Sequence, residues 1–317
     1  MAGKVVVAVV GPGMMGRGIA ACLLAGGPHE VRLCGRSPEG LARAAEQVGE
    51  LVAFLAKNGL ASPAQGRLTT TTSLEDALRD AEFVFESIAE DLEAKRALFG
   101  QLEALTGAGA VLCTNTSSLS VTAIAQGCHG AGAARTMAAH FIGPAHLVPL
   151  VELCPAATTA DPASADGPVA RVQRFLASVG KRPVLLKKEI DGFIAARLQA
   201  ALYRECLHLY QSGVADCEAI DSAVYNGFGR RLNQIGPFQQ ADFAGVDLVQ
   251  RTHANFFPQL GGYQRDVRAD ELVEQGRLGA KALKGHYDWT PETVKEVTGR
   301  RDAELLRRLK ADRQARM

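Results

Sequence analysis

The stretch Val5-Val6-Val7-Ala8-Val9-Val10, followed by Gly11-Pro12-Gly13-Met14-Met15-Gly16, decides the fold. The apolar run reads as a strand covered on both faces, as strands of a parallel sheet are. The glycine-rich turn after it has the form G-x-G-x-x-G, and a helical pattern then continues to about Ala25. A glycine triplet alone carries little weight, but between a strand and a helix it has a mechanism. The first glycine allows the tight turn, the second lets the backbone approach a pyrophosphate, and the third lets helix and strand pack closely. The N–H groups that open the helix add donors and partial positive charge. Gly11, Gly13, Met14, Met15 and Gly16 are therefore candidate dinucleotide contacts.

Beyond the turn, strand and helix signals alternate. Val31–Cys34 reads as the second strand, and Pro38 to about Lys57 as a helix with its proline near the start. Ser73 precedes L-E-D-A-L as a helix cap, and Thr69–Thr72 reads as a short strand. Phe83–Glu86, Val111–Thr114, Met137–Phe141, Leu150–Leu153 and Pro183–Leu186 read as further strands. The alternation predicts an α/β protein with a Rossmann-type, doubly wound, mostly parallel sheet over residues 1–188. The character changes at Lys187–Gly192, and residues 189–317 read as an all-helical second domain. Its first helix, Phe193 to Gln211, carries Phe193, Ile194, Ala201, Leu202 and Leu209, enough apolar surface to suggest a homodimer.

Bulk composition narrows the function classes. Lys and Arg number 35 against 34 Asp and Glu, which points to neither nucleic acid nor an anionic membrane. No segment approaches the roughly 20 apolar residues of a membrane span, and the N-terminal run is too short for a secretory signal. The 7 cysteines are scattered without a C-x-x-C pair, so no disulfide framework and no metal site is expected, and the cytoplasm is the default compartment.

Three more segments place polar residues where such a sheet exposes its carboxyl edge: E-S-I-A-E-D-L-E-A-K from Glu86, N-T-S-S-L from Asn115, and H-F-I-G-P from His140 through L-V-E-L. Glu152 lies inside an apolar strand, where an unpaired carboxylate is costly, and the chain passing His140 could supply its partner. His with Glu is an acid–base unit, the carboxylate fixing the tautomer and stabilising the imidazolium. Ser117 adds a hydroxyl for a substrate oxygen. Singly, each has a structural role available: a core histidine, a helix cap, a bridge. As a set behind a nucleotide turn they favour a catalytic site.

With these residues in view the chain resembles the 3-hydroxyacyl-CoA dehydrogenase family, including its 3-hydroxybutyryl-CoA, L-gulonate and lambda-crystallin branches. N-T-S-S-L, H-F-x-x-P and L-V-E carry the resemblance, with D-G-F-I-A-A-R-L, I-G-P-F and L-K-G-H-Y-D-W further on. It implies hydride transfer between a nicotinamide and a secondary alcohol β to a carboxyl or thioester carbonyl. It implies His140 as the proton acceptor in oxidation, Glu152 as its orienting partner and Ser117 on the reacting oxygen. Glu90, Lys95 and Asn115 take the places of coenzyme contacts, and the helical domain is expected to dimerise.

The departures are informative. Ala196 and Gly143 stand where the family carries asparagines. Thioester-specific members insert a basic helical hairpin after the second strand, which looks short here, although Lys57 could still meet a CoA phosphate. Gly35 stands where the family carries the aspartate that binds the adenosine ribose, and Arg36 and Ser37 beside it suit a 2′-phosphate. The expected coenzyme is NADP, with NAD possible. The expected substrate is a short acyl-CoA, with a free hydroxy acid of the L-gulonate kind as the alternative and a non-catalytic, crystallin-like nucleotide binder behind both.

Overall fold

The computed structural model describes residues 4–64, 66–263 and 266–315. The order of elements is β1 (Val6–Val10), α1 (Met14–Gly26), β2 (Glu30–Cys34), α2 (Pro38–Lys57), β3 (Arg67–Thr71), α3 (Leu74–Leu78) and β4 (Phe83–Glu86). Then come α4 (Leu92–Leu105), β5 (Val111–Thr114), α5 (Val121–Ala125), β6 (Thr136–Phe141), β7 (Leu150–Pro155), α6 (Pro168–Ser178) and β8 (Arg182–Leu185). One eight-stranded sheet has the order β3-β2-β1-β4-β5-β6-β7-β8. It is parallel except at β6 and β7, which run antiparallel. The doubly wound, Rossmann-type sheet expected from the sequence is the fold observed.

The apolar runs explain the layering. In β4 and β5 every residue is buried, because helices cover both faces. Val7, Val9, Phe83, Phe85 and Phe141 pack on one side with Ile19, Leu23 and Phe175. Ala8, Val84 and Leu112 pack on the other with Phe99 and Leu102. That split is the two-residue period of a strand, and each fully buried Leu, Ile or Phe contributes roughly 1.5–3 kcal/mol.

Ser37, Ser73 and Asp91 each accept from a backbone N–H three residues on, which starts α2, α3 and α4 where they start. Two features go beyond the sequence expectation. Residues 142–149 are too few for a crossover helix, so β7 returns antiparallel to β6. Helix α6, opened by Gly167 and Pro168, buries Val169, Val172, Phe175 and Leu176 against the sheet.

The chain divides into two compact units, Met1–Ile194 with Arg300–Met317, and Ala195–Gly299. The second contains α7 (Ala195–Gln211), α8 (Cys217–Asn226), α9 (Pro237–Ala244), α10 (Val246–Phe256), α11 (Val267–Glu274) and the start of α12 (Pro291–Gln314). The tail of α12 returns to the first unit, where Lys310 Nζ donates to Asn58 Oδ1 at 2.8 Å and Arg313 donates to Gly59 O at 2.9 Å. The compact units divide after Ile194, six residues beyond the boundary expected from the sequence, and the last turns of α12 group with the sheet unit. Within that unit Phe238 and Phe243 are 89% and 82% exposed. Among the described residues, no helix is long and apolar enough to cross a membrane.

Candidate active site

The register Val10↔Cys34, Val10↔Glu86, Glu86↔Thr114 and Thr114↔Ala138 aligns the ends of β2, β1, β4, β5 and β6. The glycine turn, Gly35–Ser37, the segment after Glu86, Asn115–Ser118 and His140 therefore share one sheet edge. Open α/β sheets bind their ligands at this edge.

The turn has the form the sequence predicts. Gly11 has φ +109°, and a Cβ there would lie 2.4 Å from Ser87 O. A Cβ on Gly16 would lie 1.9 Å from Gly11 O, whereas one on Gly13 would meet nothing within 4 Å. The first and third glycines are needed by the protein's own packing, and the middle one faces open space. Gly13 caps α1 without a side-chain hydrogen bond, which leaves the helix's first N–H groups for a ligand. These residues fit a dinucleotide pyrophosphate. Arg36 is exposed and has no hydrogen bond or ion pair among the described residues. Ser37 Oγ accepts from Gly40 N at 3.0 Å as the cap of α2, and its own hydrogen stays available.

His140 and Glu152 are directly opposite one another in the β6–β7 pair. His140 Nδ1 lies 2.8 Å from Glu152 Oε2, and the two residues are 7% and 1% exposed. A carboxylate only accepts, so Nδ1 carries the hydrogen and Nε2 keeps its lone pair. Glu152 Oε1 accepts from Ile194 N at 2.9 Å. Phe193 packs its ring 5.4 Å from the imidazole, on a backbone with φ +47°. That left-handed conformation costs a non-glycine residue roughly 1–2 kcal/mol, and the buried ring holds it.

The Ser117 loop rests on Glu90. Glu90 Oε1 accepts from Ser117 N at 2.9 Å and Ser118 N at 3.1 Å, and from the Thr116 hydroxyl. Burial alone would push this carboxyl up. The Thr116 hydroxyl, the loop N–H groups and Lys95 together hold it below the ordinary carboxylate range. Lys95, 1% exposed, lies 2.6 Å from Glu86 Oε1 and 3.5 Å from Glu90 Oε2. The structure thus turns Lys95 inward and gives Glu90 to the loop carrying Ser117. Asn115 Oδ1 accepts from Phe141 N at 2.7 Å, tying the end of β5 to the residue after His140.

Glu86 is the residue that sequence reasoning missed. It is fully buried, accepting from Thr114 Oγ1 at 2.6 Å and Ile88 N at 2.7 Å besides Lys95. The signal was present as a carboxylate ending the apolar F-V-F. Lys57, the expected CoA contact, ends α2, whose 20 residues carry it about 30 Å along the helix from Ser37. A Cβ on Gly143 would have only Met15 Sδ nearby, at 3.6 Å, so no clash excludes a side chain there. Ala196 is the second residue of α7.

A glycine turn that fits a dinucleotide and a buried His–Glu pair on one edge suit an oxidoreductase acting on CH–OH donors. Family models agree along most of the chain. Residues 6–190 match the 3-hydroxyacyl-CoA dehydrogenase NAD-binding domain, and residues 192–289 match the C-terminal domain of that family. The chain belongs to the 3-hydroxyacyl-CoA dehydrogenase family. L-carnitine dehydrogenase of Streptomyces griseus is 38% identical over 240 residues, covering 75% of this chain and 69% of the relative. The crystal structure of 5-formyl-3-hydroxy-2-methylpyridine 4-carboxylic acid 5-dehydrogenase, an NAD+-dependent dismutase, superposes with a TM-score of 0.89 at 27% identity, over 96% of this chain and 98% of that one. That of 3-hydroxybutyryl-CoA dehydrogenase from Escherichia coli K12 gives 0.71 at 32% identity, over 91% and 60%.

Proposed function

We propose that the protein interconverts a small free 3-hydroxy acid and the matching 3-oxo acid with NADP(H). The observation that carries the free acid is the α2–β3 connection. Helix α2 runs unbroken to Lys57, β3 begins at Arg67, and no helix lies among the described residues of 58–66. The basic hairpin that thioester-specific members use has no counterpart there, and Lys57 lies at the far end of α2. The superposition, better on the pyridine carboxylate enzyme than on the CoA enzyme, supports this order, as does the L-carnitine relative, whose named substrate is a free 3-hydroxy acid. The acyl-CoA substrate expected first from the sequence becomes the second reading, favoured by the 32% identity to the E. coli enzyme.

In oxidation the substrate hydroxyl gives its proton to His140 Nε2, and the C–H hydride departs as the carbonyl forms. A bound nicotinamide supplies the hydride acceptor. Glu152 keeps the Nδ1 hydrogen in place and stabilises the imidazolium that results. The Ser117 hydroxyl, with no protein partner among the described residues, donates to the reacting oxygen. His140 then releases its proton to solvent, so the products are the 3-oxo acid, reduced coenzyme and one proton.

A turnover panel of L-carnitine, L-gulonate, 3-hydroxybutyrate and 3-hydroxybutyryl-CoA tests the substrate. A free acid should turn over and free CoA should not inhibit. Turnover of the thioester alone, with competitive inhibition by CoA, would restore the acyl-CoA reading.

The preference for NADP(H) rests on the missing carboxylate at Gly35 and the unpaired Arg36. A charge-assisted hydrogen bond contributes about 1.5–3 kcal/mol, so Arg36→Ala should raise the NADPH KM roughly 10- to 150-fold and leave that of NADH nearly unchanged. Equal kcat/KM for the two coenzymes in the unaltered protein would sink the preference.

A further inference from the structure

Gly35 directly follows β2, with its N–H donating to Thr71 O at 3.2 Å. It is not among the glycines of positive φ, so the backbone at this position would accept any L-residue. Space is what holds a glycine here. A Cβ on Gly35 would lie 2.7 Å from Pro12 Cγ, 3.1 Å from Pro12 Cδ and 3.0 Å from Leu41 Cδ2. Leu41 is 3% exposed, packed in the core. Pro12 is a closed ring with a fixed φ, so Cγ can shift only by a change of ring pucker and Cδ stays tied to the backbone nitrogen. The turn cannot slide either. Gly11 N donates to Cys34 O at 2.9 Å, and Gly11 already sits tight against Ser87 O.

We propose that Pro12 is a specificity-determining residue for the coenzyme. Its ring fills the wedge between the glycine turn and α2 that a side chain at position 35 would need. Coenzyme choice is then encoded by the pair Pro12–Gly35, not by position 35 alone. An aspartate introduced beside Pro12 must push either the end of β2 or the glycine turn. The turn's N–H groups then lose their aim at the pyrophosphate, which NADH and NADPH both carry. With alanine at position 12 the Cγ and Cδ atoms are gone. The carboxylate can settle, accept from the ribose hydroxyls of NADH, and repel a 2′-phosphate. The direction of the final preference rests on the NADP(H) reading above; the steric coupling does not.

The test is a four-protein cycle of unaltered chain, Pro12→Ala, Gly35→Asp and the double variant, with dissociation constants for NADH and NADPH from calorimetry. Gly35→Asp alone should weaken both coenzymes by about tenfold or more, an interaction within the range that touching residues show in such cycles. The double variant should recover NADH binding while NADPH stays weak. If Gly35→Asp alone tightened NADH as much as the double variant does, the coupling would be refuted. Should Gly35→Asp fail to fold, Gly35→Ala probes the same wedge with one methyl. It should lower Tm more beside Pro12 than in the Pro12→Ala background, where only the 3.0 Å contact with Leu41 Cδ2 is left, and equal losses of Tm in the two backgrounds would equally refute it. If the unaltered protein bound NADH more tightly than NADPH, the NADP(H) reading would fail, and the four NADH constants would still decide the coupling.

Discussion

His140→Ala should lower kcat by roughly 10²–10⁴-fold, the range spanned by general acid–base catalysis. The imidazole is fixed on one side only, by Nδ1 to Glu152 at 2.8 Å, and it is nearly buried. A group held in this way presents Nε2 in one orientation. Coenzyme affinity should survive, because the glycine turn and Arg36 belong to other loops. Stopped-flow turnover with calorimetric NADPH titration separates the two. A near-normal rate would remove His140 from proton transfer. Loss of coenzyme binding in parallel would mean that the change had damaged the fold instead.

Lys95→Met should strongly destabilise the fold. It leaves the fully buried Glu86 carboxylate with Thr114 and the Ile88 N–H but with no cation. Removing one partner of a buried ion pair typically costs about 3–5 kcal/mol, a large part of the roughly 5–15 kcal/mol that holds a domain together. Methionine keeps the length of the side chain, so the effect reads charge more than volume. Urea denaturation should show a lower midpoint, and adding Glu86→Gln to the methionine variant should recover part of the loss. A change below about 1 kcal/mol, the level of an exposed pair, would mean that water reaches the site. The Ser117 loop should also loosen, since Lys95 is the cation beside the Glu90 carboxylate that gathers it.

Much of this architecture was legible in the residues. Helix α2 spans Pro38–Lys57 and β4 spans Phe83–Glu86, where their caps and apolar runs place them. The His140–Glu152 pairing followed from the cost of an unpaired carboxylate within V-E-L. The features that escaped are through-space facts. Lys95 is amphipathic surface by composition, and only the meeting of α4 with β4 buries it beside Glu86. Pro12 and Gly35 come from different strand–helix loops, so their collision appears in no local pattern. Helix α6 comes after D-P-A-S-A-D-G-P, whose turn residues mask the start of an apolar face. The return of the α12 tail depends on its contacts with Asn58 and Gly59, far away along the chain.

The sheet ends at β8, and that ending bears on solubility. At the start of β8 and just past its end, the N–H groups of Arg182 and Leu186 point inward, to Pro149 O at 2.7 Å and Leu153 O at 2.8 Å. Pro183 therefore occupies a position whose N–H would face outward, and it has none to offer. Val184 and Leu185 are 42% and 37% exposed, apolar enough to invite a stray strand from another chain. With a donor missing from its outer row and Lys187 and Lys188 just beyond, this edge is a poor template for aggregation.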